Sequence, residues 1–441
     1  MMNDPWWLIL IKVVVLFVVL LVWTIFNVWY ERRLVAKMQH RLGPILNGPF
    51  GLGQALADGM KLLIKEDFMP NMVDRVLFTV APLIAGTAAF TAWAVIPFGG
   101  EVEIFGVPTR LQLADPEVGV LVLLAVTAVG IYGFVLAGWS SNSPYSLLGA
   151  LRSTAQMISY EIAMGLSLVA VFLYAGTMQT SQIVEAQRVP LMPFGFDALG
   201  MPNWLFITLI PSFIIYVIAM VGETNRAPFD LPEAESELVS GYITEYSGFR
   251  YAIYFLAEYI NMATVSAIAT TLFMGGYLTP WPLNNIEFLN NPWFGPLWFM
   301  IKVQLFISLF VWLRGTLPRF RYDQFMSLGW KALIPISLAW IVLVSVIRKV
   351  QQEGMAQWLW YTAVGIAAAL LVVTIALMFV GDRKPEKPDV AADEPFDAFA
   401  GGYPVPPMPG QVLPELAGVV SATAESWAPD ADAPDETEKE Q

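Results

Sequence analysis

Long apolar runs, broken by short polar connections, set the pattern of this chain. Nine runs, at 6–29, 76–97, 118–139, 157–175, 203–222, 251–274, 294–313, 330–347 and 358–380, are candidates to cross a membrane. A hydrocarbon core of roughly 30 Å takes about 20 residues in a helix. The pattern therefore predicts an all-α fold, a polytopic transmembrane helix bundle. The first run reaches Glu31-Arg32-Arg33 without a small-residue cleavage site, so it reads as an anchor rather than a cleavable signal. Residues 51–66 (GLGQALADGMKLLIKE) are too short and too polar to span. At helical spacing Leu52, Leu56 and Leu63 share one face, while Gln54, Asp58, Lys61 and Lys65 share another. That predicts an amphipathic helix, either at the membrane surface with snorkelling lysines or packed on the bundle. Beyond about residue 381 the apolar pattern is lost. Residues 382–441 are rich in proline, alanine and acids, a composition that buries too little apolar surface to offset ordering entropy. The chain thus divides into a membrane domain (1–347), an additional span (348–381) and a disordered acidic tail (382–441). No internal repeat is visible. Gly43, Gly48, Gly51 and Gly53 lack the lysine and hydroxyl residue of a phosphate loop.

The connections orient the spans. Arg32, Arg33, Lys37, Arg41, Lys61, Lys65 and Arg75 precede the second run, whereas 98–117 holds only Arg110. The third connection carries Arg152, the fifth Arg226 and Arg250, and the seventh Arg314, Arg319 and Arg321. The fourth has Arg188 and the sixth has no base. Basic connections favour the cytoplasm, so the odd ones lie inside and the N-terminus outside. A ninth span would bring the tail inside, as Arg383, Lys384 and Lys387 suggest, although Arg348 and Lys349 then fall on the outer side.

Charge and composition narrow the chemistry. The net charge of −13 is mostly that of the tail, where 14 acids meet 4 bases. The chain has no cysteine and one histidine, His40. Disulfides, cysteine-ligated zinc, iron–sulfur clusters and histidine-rich metal or haem sites are excluded within it, so any redox cofactor belongs to partner chains.

The densest acid cluster is Glu223–Phe249 (ETNRAPFDLPEAESELVSGYITEYSGF), between the fifth and sixth runs. It holds Glu223, Asp230, Glu233, Glu235, Glu237 and Glu245, and Arg226 is its base. Carboxylates at a membrane edge are costly, so such a cluster points to function, and Pro228, Phe229, Leu231 and Pro232 argue against a plain solvated loop. Glu233 and Glu237 are four apart and share a helix face. Three charges lie within spans: Glu161, Glu258 and Lys302. They suit a proton relay or, alternatively, a structural ion pair of Lys302 with one of the glutamates. Asp115 and Glu117 open the third span and read as charges facing its helix dipole. Pro318 and Asp323, beside Arg314, Arg319 and Arg321, suggest a shaped loop with an internal ion pair.

These same segments carry a family likeness. RLGPILNGPFGLGQALADGMKLLIKEDF (41–68), SNSPYSLLGALRSTAQMISYEI (141–162), the stretch 223–249, FLAEY (255–259) and LRGTLPRFRYDQFMSLGWK (313–331) closely resemble the H-type membrane subunits of bacterial proton-pumping NADH:quinone oxidoreductase, a family with a counterpart in mitochondrial complex I. The resemblance covers about 30–347, in order and at matching spacing. Membrane-bound hydrogenases carry a looser version of the same subunit.

The resemblance implies eight spans with the N-terminus outside, in a bacterial cell membrane. It implies a chamber for quinone, ubiquinone or menaquinone, as substrate. FMN and iron–sulfur clusters would sit on partner subunits. The implied partners are soluble quinone-module subunits on the cytoplasmic side, small membrane subunits, antiporter-like subunits and the lipid bilayer, with no nucleic acid. The family's gate for the quinone tail maps onto Glu31, Arg32, Asp58, Lys61 and Lys65. Arg226, Asp230, Arg314, Arg319 and Arg321 would support the chamber. The family's proton path maps onto Glu161, Glu223, Glu233, Glu235, Glu237 and Glu258. The ninth span and the tail are additions that the resemblance does not explain. A transporter would show inverted repeats and broken helices in matching halves. A scaffold would explain the missing cofactor ligands but not the acids.

Overall fold

The structure is a computed structural model and describes residues 4–188, 202–230, 239–352 and 365. In chain order its main helices are α1 (Trp6–Met38), α2 (Gly53–Ile64) and α3 (Arg75–Ala92). A hairpin follows, β1 (Glu101–Ile104) and β2 (Val107–Arg110), then α4 (Gly119–Ser140), α5 (Pro144–Ala175) and α6 (Thr180–Ala186). Next come α7 (Leu205–Thr208), α8 (Ile210–Glu223), α9 (Gly248–Phe273) and α10 (Gly295–Thr316). The last are α11 (Tyr322–Ser327) and α12 (Ile334–Gln352), joined by a π-helical turn at Leu328–Leu333.

Among the described residues seven helical segments are long and apolar enough to cross a membrane, and α8 is a shorter eighth. They fall on the first eight apolar runs of the sequence, so the chain is an all-α, multi-pass membrane protein. The ninth run, 358–380, and the tail lie outside the described residues, apart from residue 365.

Local chemistry sets the helix ends. Asp74 caps α3, its Oδ1 accepting from the Val76 and Leu77 amides. Pro144 opens α5 at a position where a missing N–H costs nothing. Gly176, with φ 73°, closes it, its N–H donating to the Phe172 carbonyl.

The hairpin departs from the all-helical expectation. Glu101 pairs with Arg110 and Ile104 with Val107 in antiparallel register around Phe105-Gly106, both with positive φ. Such a two-residue turn matches the twist of its strands. The alternation Val102, Ile104 and the Phe-Gly turn carry a signal for it, but four residues a side are too few for periodicity to stand out. Lys12 ties the hairpin to α1, donating to Thr109 Oγ1 (2.6 Å), the Arg110 carbonyl (2.7 Å) and Asp4 (2.6 Å).

α9 lies deepest in the bundle, against α3, α10, α2 and α1, while α5 packs on α4, α8 and α12. On α5, Gln156 is fully buried, and its side-chain amide donates to the Gly222 (2.8 Å) and Phe229 (2.9 Å) carbonyls. One side chain thus anchors both ends of the turn that opens the acid stretch. Tyr160, one turn further on, stacks on Phe325 at 4.2 Å and 7° and donates to the Phe325 carbonyl.

Gly222 makes this packing possible. A Cβ there would lie 2.4 Å from Tyr160 Cδ1. Gly222→Ala is therefore expected to destabilise the protein by about 1–3 kcal/mol, the usual cost of overpacking a close-packed core. A lowered melting temperature of the purified complex would show it, and an unchanged one would mean that Tyr160 yields freely.

Candidate functional site

The site is built where α1, α2 and α9 meet the turn after α8. α1, α2 and α9 enclose an apolar cleft of about 440 Å³. Leu21, Ile25 and Val28 line it from α1, Leu56 and Leu63 from α2, and Phe255 and Leu256 from α9. The leucine face of the amphipathic helix is thus exposed and borders this cleft. At its polar rim Arg32 on α1 and Asp58 on α2 form an ion pair of 2.5 Å, and Gln54 donates to the other Asp58 oxygen at 2.9 Å. Lys61 follows on the same helix and Lys65 stands at its C-cap, both exposed.

One residue before Arg32, Glu31 is only 4% exposed. Such a carboxylate needs partners, and it has three. Arg226 Nη1 donates to Oε1 at 3.2 Å, Tyr259 Oη donates to Oε2 at 2.7 Å, and Arg314 donates to Oε1. Arg226 also faces Glu258, its Nε 2.9 Å from Oε1, and its guanidinium lies 4.4 Å from the Tyr259 ring centroid. Burial works against charge on Arg226, but Glu258 and Glu31 more than offset it and hold its pKa above the ordinary guanidinium value. Arg226 therefore stays a cation between two carboxylates, one from α1 and one from α9.

Glu258 leads into a second cavity, of about 20 Å³, lined by Glu223, Thr224, Asn225, Asp230 and Asn261, with Met157 and Tyr242 among its apolar walls. Asp230 is buried and pairs with Arg319 at 3.2 Å. The Phe320 amide donates to the Pro228 carbonyl at 3.1 Å, so the arginine loop after α10 is pinned to the turn after α8. Arg321 pairs with Asp323 at 3.5 Å, the internal pair that the sequence suggested, but both are exposed. Glu161 is half-buried on α5 and adds like charge to the surroundings of Glu223. Glu233, Glu235 and Glu237 lie outside the described residues.

Two sequence expectations need correction. Lys302 pairs with no glutamate among the described residues. Its ammonium donates to the Met274 (2.8 Å), Gly276 (2.9 Å) and Leu278 (2.6 Å) carbonyls and lies 4.5 Å from the Trp204 ring. Carbonyls freed where α9 ends satisfy it, a partner set that sequence spacing does not reveal. Asp115 is not simply a charge at a helix end. It accepts from Ser181 (2.5 Å), Gln179 (2.7 Å) and Arg110 (3.3 Å), knitting the hairpin to α6. A cavity of about 690 Å³ opens at that end of the bundle. Its charges pair locally, Arg110 with Glu101 and Arg188 with Glu185, and Tyr277 donates to Glu185. Among the described residues it lacks the run of buried carboxylates that marks the other end. Sequence reasoning missed Gln156 and gave Tyr259 no role beyond its place beside an intramembrane glutamate.

Fold and site together define a class: a multi-pass helical membrane protein with buried charge linking an apolar cleft to a small acidic cavity. The chain matches the NADH dehydrogenase family over residues 11–345, and it belongs to that family. It is 59% identical over 424 residues to the H subunit of the NADH-quinone oxidoreductase of Cutibacterium acnes, covering 95% of each chain. It is 50% identical over 422 residues to the subunit of that name from Streptomyces avermitilis (94% of this chain, 90% of the relative). The corresponding Frankia alni protein is 52% identical over 385 residues (87% and 82%). An alignment of 424 residues extends well past the family match, so the additional C-terminal part is largely shared with the Cutibacterium relative.

Proposed function

We propose that this chain is the membrane subunit of an NADH-quinone oxidoreductase that forms the quinone chamber and couples quinone reduction to proton translocation through a chain of carboxylates. The observation that carries the reading is the charge network Glu31–Arg226–Glu258, which stands between the cleft rim and the acids. Arg32 and Asp58 stand at the cleft rim, Glu31 lies beside Arg32, Arg226 joins Glu31 to Glu258, and Glu258 shares a cavity with Glu223 and Asp230.

Chemistry favours this use. An apolar cleft suits a long hydrophobic tail, and the polar rim suits a headgroup. Reduction of a quinone to a quinol takes up two protons. A change of charge in a dry site acts strongly on carboxylates nearby. Acids packed together cannot all ionise freely, so some hold protons near neutral pH and exchange them when the chamber changes state. Glu161, Glu223, Glu233, Glu235, Glu237 and Glu258 are the residues assigned to that path. Glu31, Arg32, Asp58, Lys61, Lys65, Arg226, Asp230, Arg314, Arg319 and Arg321 are assigned to the chamber and its gate. With no cysteine in the chain to ligate them, iron–sulfur clusters are assigned to soluble partner subunits on the cytoplasmic side, and FMN with them. Antiporter-like subunits in the membrane would receive the coupling signal. The N-terminus faces outward in this reading.

The test is to alter the gate without touching the bundle. Lys61→Ala and Lys65→Ala remove exposed charges on α2 and at its C-cap. Each is expected to raise the apparent KM for quinone by about five-fold with kcat little changed, as loss of ground-state binding does. The amount of assembled complex should stay constant. If complex is lost in step with activity, α2 is a structural element and the gate reading is wrong.

A further inference from the structure

We infer that Asn225 is a positioning residue: with Glu223 it holds one bridging water in the cavity shared with Asp230 and Glu258, and protons reach or leave Glu223 through that water. The inference deepens the carboxylate reading and rests on it.

Four observations converge. The cavity, at about 20 Å³, has room for about one water, which needs at least ~10–15 Å³ and several polar partners. Two buried oxygens on residues lining it, Glu223 Oε2 and Asn225 Oδ1, have no hydrogen-bond partner among the described residues, and Glu223 is 8% exposed. Both are acceptors when Glu223 is ionised, and one water supplies the two O–H donors they need. The other half of the Asn225 amide is already engaged, its Nδ2 donating to Ser153 Oγ at 3.0 Å, which fixes the side chain. Thr224 offers no donor in the water's place, because its O–H is given to the Met220 carbonyl at 3.1 Å.

The backbone explains why this residue type stands here. Asn225 has φ 50°, in the left-handed region that asparagine tolerates better than most residues. The turn after α8 therefore favours a residue that accepts this backbone and still presents an oxygen. Asparagine and aspartate do both, whereas glycine meets only the first demand. That separates a role in the fold from a role in proton transfer.

The experiment uses the assembled complex in membrane vesicles, with three variants. Asn225→Gly keeps the backbone and removes the oxygen. It is expected to lower kcat for NADH-driven quinone reduction at least about ten-fold, with KM for quinone unchanged and a larger solvent deuterium isotope effect. NADH oxidation by ferricyanide, which reports the soluble redox module, should not change. Asn225→Asp keeps an acceptor and should retain kcat within about three-fold of wild type. Wild-type kcat in Asn225→Gly, or equal losses in both variants, would overturn the inference. If Asn225→Gly does not assemble, Asn225→Asp decides alone, and a ten-fold loss there overturns it. Stimulation by sodium at constant ionic strength would assign the cavity to a cation and also overturn it. Glu223→Gln separates the levels. Full activity in that variant removes the carboxylate reading itself, whereas its inactivity beside a fully active Asn225→Gly removes only the role of Asn225.

Discussion

Arg226→Met is expected to destabilise the protein by about 3–5 kcal/mol, the usual cost of breaking a buried ion pair by removing one partner. Total stabilities of about 5–15 kcal/mol make that a large fraction, so little assembled complex should accumulate. The reason is geometric. Arg226 stands 3.2 Å from Glu31 and 2.9 Å from Glu258, with 7% of its surface exposed. Without it Glu31 still has Arg314 and Tyr259, but Glu258 loses its cation. Arg226→Lys should rescue poorly, since a point charge cannot serve two carboxylates and lie flat on Tyr259 as a planar guanidinium does. The decisive comparison is the double variant Arg226→Met/Glu258→Gln. It should regain part of the lost stability, because the carboxylate no longer faces the missing guanidinium as a charge, yet remain inactive. Native gels and thermal scans would read the first effect and quinone reduction the second. If Arg226→Met alone is as stable as wild type, the cluster is wet and the buried path is misdescribed.

The fold was legible wherever periodicity carried it. Eight apolar runs became helices or helical segments, and the amphipathic stretch 51–66 became α2 at Gly53–Ile64. Hydrophobic thickness leaves a chain few other solutions. What the runs could not carry was the partnership between them. Glu31 and Arg226 are 195 residues apart, and nothing local in either segment announces the other. The hairpin at 101–110 was too short to register. The alternative reading of Lys302, as half of an ion pair, fails because sequence shows charges and hides free carbonyls. The acid stretch itself was visible as an excess of carboxylates over one base. The subdivision of its chemistry was not: Asp230 is held by Arg319, Glu258 by Arg226, and Glu223 keeps one oxygen without a partner among the described residues.

That last difference governs the second large effect. Asp230 pairs with Arg319 and Glu258 with Arg226. Glu223 is enclosed, with no cation beside it among the salt bridges of the described residues, and Glu161 adds repulsion. Of these three acids, Glu223 is the one suited to gain and lose a proton. Glu223→Gln keeps its size and shape and removes that capacity. We expect the variant to assemble, with a melting temperature equal to or above that of wild type, because an amide costs less to bury than a carboxylate. Its quinone-coupled turnover and proton pumping should fall about 10²-fold or more, the scale of a lost proton-transfer group. Gain in stability joined to loss of activity is what a residue kept for function shows when it is neutralised. A structural residue would lose both together. Measuring Tm and pumping on the same preparation therefore distinguishes the two. A fully active Glu223→Gln would remove the carboxylate reading.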